Sequence, residues 1–183
     1  MLARLAFECG IYGCDGIVFL SDGASWLKTV KDKHFPSALS ILDLYHAIEH
    51  VSVLVDLLKI TGPNAKQRRE ALKEASVWLL RVGDIDGVLK GVKQYEAKSG
   101  KASALKREKE YFSNNSSRMQ YGAYAWAGLF MGSGVVEAAC KVIAWARMKQ
   151  SGIKWLKASA EGMGALRCAI KNNEFWGSYR GCA

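Results

Sequence analysis

Two short apolar runs near the start of the chain constrain the fold most. Residues 17–22 (IVFLSD) form an apolar run closed by a polar pair, which reads as a buried strand. Residues 37–46 (SALSILDLYH) carry Leu39, Ile41 and Leu42, which read as a second strand. Between them, GASWLKTVKDKHF opens with turn chemistry and continues with Trp26, Leu27 and Val30 on one helical face, until Pro36 stops it. Strand, helix and strand within about 30 residues is the footprint of an α/β unit. A two-strand sheet is too small to stand alone. Either helices complete it in an unusual way, or the strands that complete it lie in a preceding part of the protein.

From residue 47 onward the periodicity is helical. Ile48, Val51, Val55 and Leu58 repeat at helical spacing before Gly62-Pro63-Asn64 breaks the chain. Residues 65–81 follow, with Leu72, Val77, Leu79 and Leu80 as their stripe. Further helices are expected over 84–98 and 101–111, with SNNSS (113–117) as a polar loop, an aromatic and glycine-rich stretch over 119–131, and helices over 135–150 and 154–171. The fold class is therefore α/β and mainly helical, in three segments: 1–46, 47–131 and 132–183. Half of the residues are hydrophobic, as suits a globular chain. No stretch approaches the roughly 20 apolar residues of a membrane span, and Glu8 interrupts the apolar N-terminus, so the expectation is a cytoplasmic protein without a membrane partner. Five scattered cysteines, Cys9, Cys14, Cys140, Cys168 and Cys182, make no C-x-x-C pair and argue against a zinc site or a disulfide framework.

A formal charge of +9 suits a polyanion such as DNA or RNA, or simply a solvated basic surface. Lys141, Arg147, Lys149 and Lys154 gather around Trp145 and Trp155 and are the candidate phosphate contacts. Tyr111, Tyr121, Tyr124 and Trp126 have the chemistry to stack on bases, although aromatics so spaced more often build a core. Three acids stand out. Asp22 falls just past the carboxyl end of the first strand, where open α/β sheets place ligands, and where D-G also commonly caps a helix. Asp43 opens DLYHAIEH, in which His46 and His50 are four apart and share a helical face; that spacing suits a metal, but equally a capped helix start with ordinary histidines. Glu137 lies in GSGVVEAACK (132–141) among small and apolar residues. It favours the helix dipole, yet a buried helix start would leave the carboxylate needing a cation such as Mg²⁺.

Taken together, DGASW (22–26), HFPSALSILDLYHAIEH (34–50), YFSNN (111–115), RMQYGAY (118–124), GSGVVEAACK (132–141), RMKQSGIKW (147–155) and a closing Leu166-Arg167 with Phe175-Trp176 resemble, in order, the C-terminal half of insertion-sequence transposases of the DDE class, ISKra group. The resemblance implies a partial RNase H-like fold lacking its first strands, with an all-helical insertion before the last catalytic acid. It implies metal-dependent DNA cleavage and strand transfer with two Mg²⁺ (or Mn²⁺) ions, DNA partners at transposon ends and target, a homo-oligomer in the full-length family, and a nucleoid-associated location in the cytoplasm. Carried over by residue, Asp22 matches the second catalytic acid and metal ligand, and Glu137 the third. Asp43 and His46 match a supporting D-x-x-H element, and the basic segment containing Arg147 would lie beside DNA. The family's first aspartate lies well upstream of the segment matching Asp22. Residues 1–21 do not supply it, because Asp15 belongs to the opposite end of the same strand. The expectation is a truncated catalytic domain, inactive alone. The contrasting expectation is a non-catalytic, basic, helical nucleic-acid-binding module in which Asp22 and Glu137 only cap helices. A third is a hydrolase built on a metal held by His46 and His50.

Overall fold

A computed structural model describes residues 2–95, 101–149 and 151–172. The chain divides into two compact units, Met1–Ser133 and Gly134–Ala183. The segments 1–46 and 47–131 thus belong to one unit.

The first unit opens with α1 (Leu2–Glu8) and a 3₁₀ turn, then β1 (Val18–Ser21), α2 (Ser25–His34) and β2 (Leu39–Leu42). The strands pair in parallel, Val18 with Leu39 through Ser21 with Leu42. A parallel pair needs a crossover, and α2 supplies it. The Phe35 N–H closes α2 onto the Lys31 carbonyl, and Pro36 prevents continuation. Among the described residues the sheet has these two strands and the rest of the unit is helical. The mainly helical expectation with a small parallel sheet holds.

Helices α3 (Leu44–Asp56), α4 (Ala65–Val82), α5 (Ile85–Lys93), α6 (Ala102–Asn115) and α7 (Tyr121–Trp126) complete the core. Helix α3 packs on α4 and α6, and α4 on α5 and α7. Ile41 and Leu42 of β2 are fully buried, as are Val51, Leu54 and Val55 of α3, Leu80 of α4, Val88 and Val92 of α5, and Phe112 of α6. The apolar stripes of the sequence thus face one core. Asp84 starts α5, its carboxylate accepting from the Gly87 N–H at 2.8 Å. Of the aromatic residues around α7, Tyr121 and Tyr124 are buried, whereas Trp126 is 92% exposed.

The segment 113–117 differs from the expected loop. Helix α6 runs on to Asn115, and Ser116–Arg118 add a 3₁₀ turn. Buried Phe112 anchors the last turn, and side chains replace the missing helical partners. Asn115 donates to the Tyr111 carbonyl, and Arg118 donates to the Asn115 side chain.

Helix α7 crosses close to the end of α4. A β-carbon at Gly122 would stand 2.9 Å from the Val82 carbonyl oxygen, a backbone atom that cannot step aside. Gly122→Ala is expected to cost about 1–3 kcal/mol, read as a lower thermal midpoint by circular dichroism.

The second unit contains α8 (Gly134–Cys140), a π-helical segment Lys141–Trp145, α9 (Ala146–Met148) and α10 (Lys157–Lys171). The sequence suggests one unbroken helix over 135–150; the π segment is the difference. A π turn displaces carbonyls from the regular ladder, and Arg167 of α10 collects two of them. Its Nε donates to the Ile143 carbonyl at 2.8 Å and its Nη2 to the Val142 carbonyl. Cys9, Cys14, Cys140 and Cys168 are free and exposed. Cys182, Phe175 and Trp176 lie outside the described residues.

Candidate functional site

The strand register places the first two acids. Ser21 and Leu42 are partners in parallel strands, so Asp22 and Asp43 are the next residues at the same carboxyl edge, on chains about 4.8 Å apart. The Asp43 N–H donates to the Ser21 carbonyl at 2.9 Å and closes the ladder between them. Two carboxylates at adjacent carboxyl ends of a parallel sheet is the placement at which such sheets build sites.

The two acids do different work. Asp22 is exposed. Its Oδ1 accepts from the Ala24 N–H at 3.0 Å, an Asx-type turn into α2 rather than a cap, since Ala24 holds the cap position. Its Oδ2 faces no protein donor among the described residues. Gly23 makes this turn at φ +90, where a β-carbon would meet Leu42 Cδ1 at 2.9 Å and Tyr111 Cε2 at 3.6 Å. Asp43 is 4% exposed. It is the N-cap of α3: Oδ1 accepts from the Tyr45 and His46 N–H groups at 2.8 and 3.0 Å, and Oδ2 from the Ser133 N–H at 2.6 Å. Burial alone would raise its pKa, but the hydrogen bonds from Ser133, His46 and Tyr45 outweigh it and hold the carboxyl below its ordinary value. The cap expected at Asp43 is there, and the carboxylate is fully engaged in structural bonds.

The histidines do not converge on a shared ligand. Their rings are 5.0 Å apart and edge-on, and each Nδ1 faces a different glutamate. His50 is 2.7 Å from Glu108 Oε2, and His46 is 3.4 Å from Glu49 Oε2. Among the described residues no group of three or more His, Cys, Asp or Glu is arranged to hold a metal. His46 and His50 are thus each paired with a carboxylate of their own.

Instead His50 belongs to a column beneath the acidic edge. Its ring stacks on Tyr111 at 3.7 Å, and its partner Glu108 is 7% exposed. The Tyr111 hydroxyl is buried with no hydrogen-bond partner. Burial pushes its pKa up; the Arg118 charge opposes this, and Glu108, Asp22 and Asp43 add to it. Arg118 donates from Nη2 to Ser21 Oγ at 2.6 Å, beside Asp22. Glu108 and Arg118 escape a reading of the sequence for chemistry. Glu108 hides in the charge run KREKE, although the spacing of Leu105, Glu108 and Phe112 sets it on the buried face of α6.

Glu137 is where the structure departs most from expectation. It lies in the first turn of α8, as the sequence indicates. The helix start is not buried, however: Val135 is 68% and Val136 63% exposed, and Glu137 itself is exposed. The small side chains around it offer little surface to pack. The argument that a buried carboxylate there demands a cation therefore falls. Lys141, Arg147, Lys149 and Lys154 are exposed in the same unit, with the Lys149 ammonium 4.4 Å from the Trp145 ring centroid.

No protein-family model matches the chain, and no curated protein or solved structure matches it either. No helix among the described residues is long and apolar enough to cross a membrane.

Proposed function

We propose that the chain is catalytic-domain sequence of a DDE-class insertion-sequence transposase, acting on DNA phosphodiesters. The observation that supports this best is Asp22: an exposed carboxylate at the carboxyl end of a parallel strand, on a glycine turn, next to Ser21, which accepts from the half-buried Arg118. Its Oδ2 has the hardness and exposure a Mg²⁺ or Mn²⁺ ligand needs. Asp43 does not suit that role, because both of its oxygens already accept backbone N–H bonds; it fits the supporting role, holding His46 at the start of α3. In this reading Glu137 is the other acidic ligand, and Lys141, Arg147, Lys149 and Lys154 contact DNA phosphates. When bound, the metal would polarise the scissile phosphate and activate the attacking oxygen. The chain's own residues hold the carboxylate in place at the turn and draw the polyanion in.

A second reading is a basic nucleic-acid-binding module without catalysis. It draws on the Asx turn at Asp22 and on the exposed, dipole-friendly position of Glu137.

Calorimetric titration of Mg²⁺ and Mn²⁺ into the wild-type chain, Asp22→Asn and Glu137→Gln separates the two. Under the transposase reading each substitution weakens binding by more than about tenfold while circular dichroism stays unchanged. Metal binding that survives both substitutions leaves the acids as helix-start residues and favours the binding module.

A further inference from the structure

Cations outnumber carboxylates beside the acidic edge. A cavity of about 230 Å³ opens on one face of the two-strand sheet, between α2 and the end of α6. Its polar lining includes Lys28, Lys31, Arg118, Asn114, Ser117 and Ser21, with Asp32 as the one carboxylate. Arg118 is bonded only to neutral partners, Ser21 Oγ at 2.6 Å and Asn115 Oδ1 at 3.1 Å, and its Nε is buried without a partner. Burial lowers its pKa, against the opposing pull of nearby groups that include Asp22. The Lys31 side chain is 16% exposed; it donates to the Pro36 carbonyl at 2.9 Å and lies 3.6 Å from Asp32, whose own side chain is 57% exposed. Lys28 makes no ion pair among the described residues.

Three cations and one solvated acid around a small cavity form an anion site by charge. Asparagine and serine groups add donors by shape. A half-buried guanidinium held by neutral hydrogen-bond partners, with its Nε buried, gains from an anion that joins it, and a planar donor fork suits tetrahedral oxyanions.

We infer that this cavity, framed by Lys28, Lys31 and Arg118, binds a phosphate group. Its source is a nucleic-acid strand rather than free phosphate. Ser21 both lines the cavity and precedes Asp22, so a phosphate held there is delivered next to the acidic edge. Only the choice of source rests on the proposed function; the anion site itself does not need it.

The test titrates inorganic phosphate into the metal-free chain in a low-salt chloride buffer, by calorimetry. A fluorescent single-stranded oligonucleotide is followed in parallel by anisotropy. Lys28→Glu changes an exposed side chain and leaves the Arg118 hydrogen bonds intact. Arg118→Gln tests the guanidinium, with circular dichroism to verify folding. Lys90→Glu, on α5, makes the same change in charge elsewhere. The expected result is that Lys28→Glu and Arg118→Gln each weaken phosphate and oligonucleotide binding by about tenfold or more, and Lys90→Glu by much less. Weakened phosphate binding with unchanged oligonucleotide binding overturns the nucleic-acid source and assigns the pocket to free phosphate. Equal effects of Lys28→Glu and Lys90→Glu, or no phosphate binding by the wild-type chain, overturn the site. Because no metal is present, these outcomes are independent of whether Asp22 and Glu137 bind Mg²⁺.

Discussion

Asp43→Ala is expected to cost about 3 kcal/mol of stability or more. The carboxylate is 4% exposed and accepts three backbone N–H bonds, two at the start of α3 and one from Ser133. Loss of an N-cap costs about 0.5–2 kcal/mol. The Ser133 bond is charge-assisted and spans 90 residues of sequence, so its loss adds about 1.5–3 kcal/mol. Alanine also leaves these N–H groups without their acceptor. The same substitution should loosen residues 131–133, which β2 and α3 hold by this bond and by the Leu44 N–H donating to the Met131 carbonyl at 2.8 Å. Asp43→Asn separates the two contributions. An amide presents one oxygen, so it can keep the α3 cap while setting an NH₂ group against the Ser133 N–H. It should fall between wild type and alanine.

The acid dependence has a definite sign. The folded pKa of Asp43 lies below the ordinary value of an aspartate. Its contribution is therefore complete above the unfolded carboxylate range and is lost as pH falls through the lower folded value. Urea unfolding from neutral pH down past pH ~4 should show the gap between wild type and Asp43→Asn narrowing only in acid. A gap that is constant across that range would mean that the carboxylate charge is not what Asp43 contributes.

The sequence made the α/β element legible because short-range chemistry decides it. Ile41 and Leu42 are buried where an apolar run predicts a strand; Gly23 and Pro36 punctuate where they must; Asp43 caps where an acid precedes a helical stripe. The parts that were not legible depend on what side chains meet after the chain has folded. SNNSS is helical for its first residues because Phe112 is pinned in the core and Asn115 and Arg118 satisfy the turn. Glu108 has the composition of a solvated charge run; its spacing from Leu105 and Phe112 sets it on the buried face, and the position of α6 against α3 makes it the partner of His50. The π segment Lys141–Trp145 depends on Arg167, distant in sequence. Glu137 shows the converse error. Apolar and small neighbours suggest burial, but burial needs an opposing surface, and the first turn of α8 is exposed.

The His50–Glu108 pair carries the other large expected effect, because each partner is committed to the other inside the fold. The Glu108 side chain is 9% exposed and that of His50 25%, with 2.7 Å between Oε2 and Nδ1. Removing one partner of such a pair strands the other where water reaches it poorly, which costs about 3–5 kcal/mol for a fully buried pair and less here in proportion to the exposure of His50. His50→Ala should be the worse single substitution, since it strands a carboxylate and also removes the ring stacked 3.7 Å from Tyr111. Glu108→Ala keeps that stack. The double substitution should cost less than the sum of the two, with a coupling energy of about 1–3 kcal/mol. His46→Ala, whose side chain is 40% exposed and 3.4 Å from a glutamate that is 76% exposed, should cost within about 0.5 kcal/mol of nothing. Denaturant unfolding of the four variants measures all of this, and additive single effects would sink the claim that the two side chains act as a unit. The consequence reaches the acidic edge through Tyr111. Its ring and hydroxyl lie within 4 Å of the place a Gly23 β-carbon would occupy, so they wall the turn that presents Asp22. In His50→Ala the Gly23 and Ala24 amide resonances should shift, and in Glu108→Ala they should shift less. A stack that positions Tyr111 transmits the change to that turn; a histidine that merely fills space at α3 would leave both amides where they were.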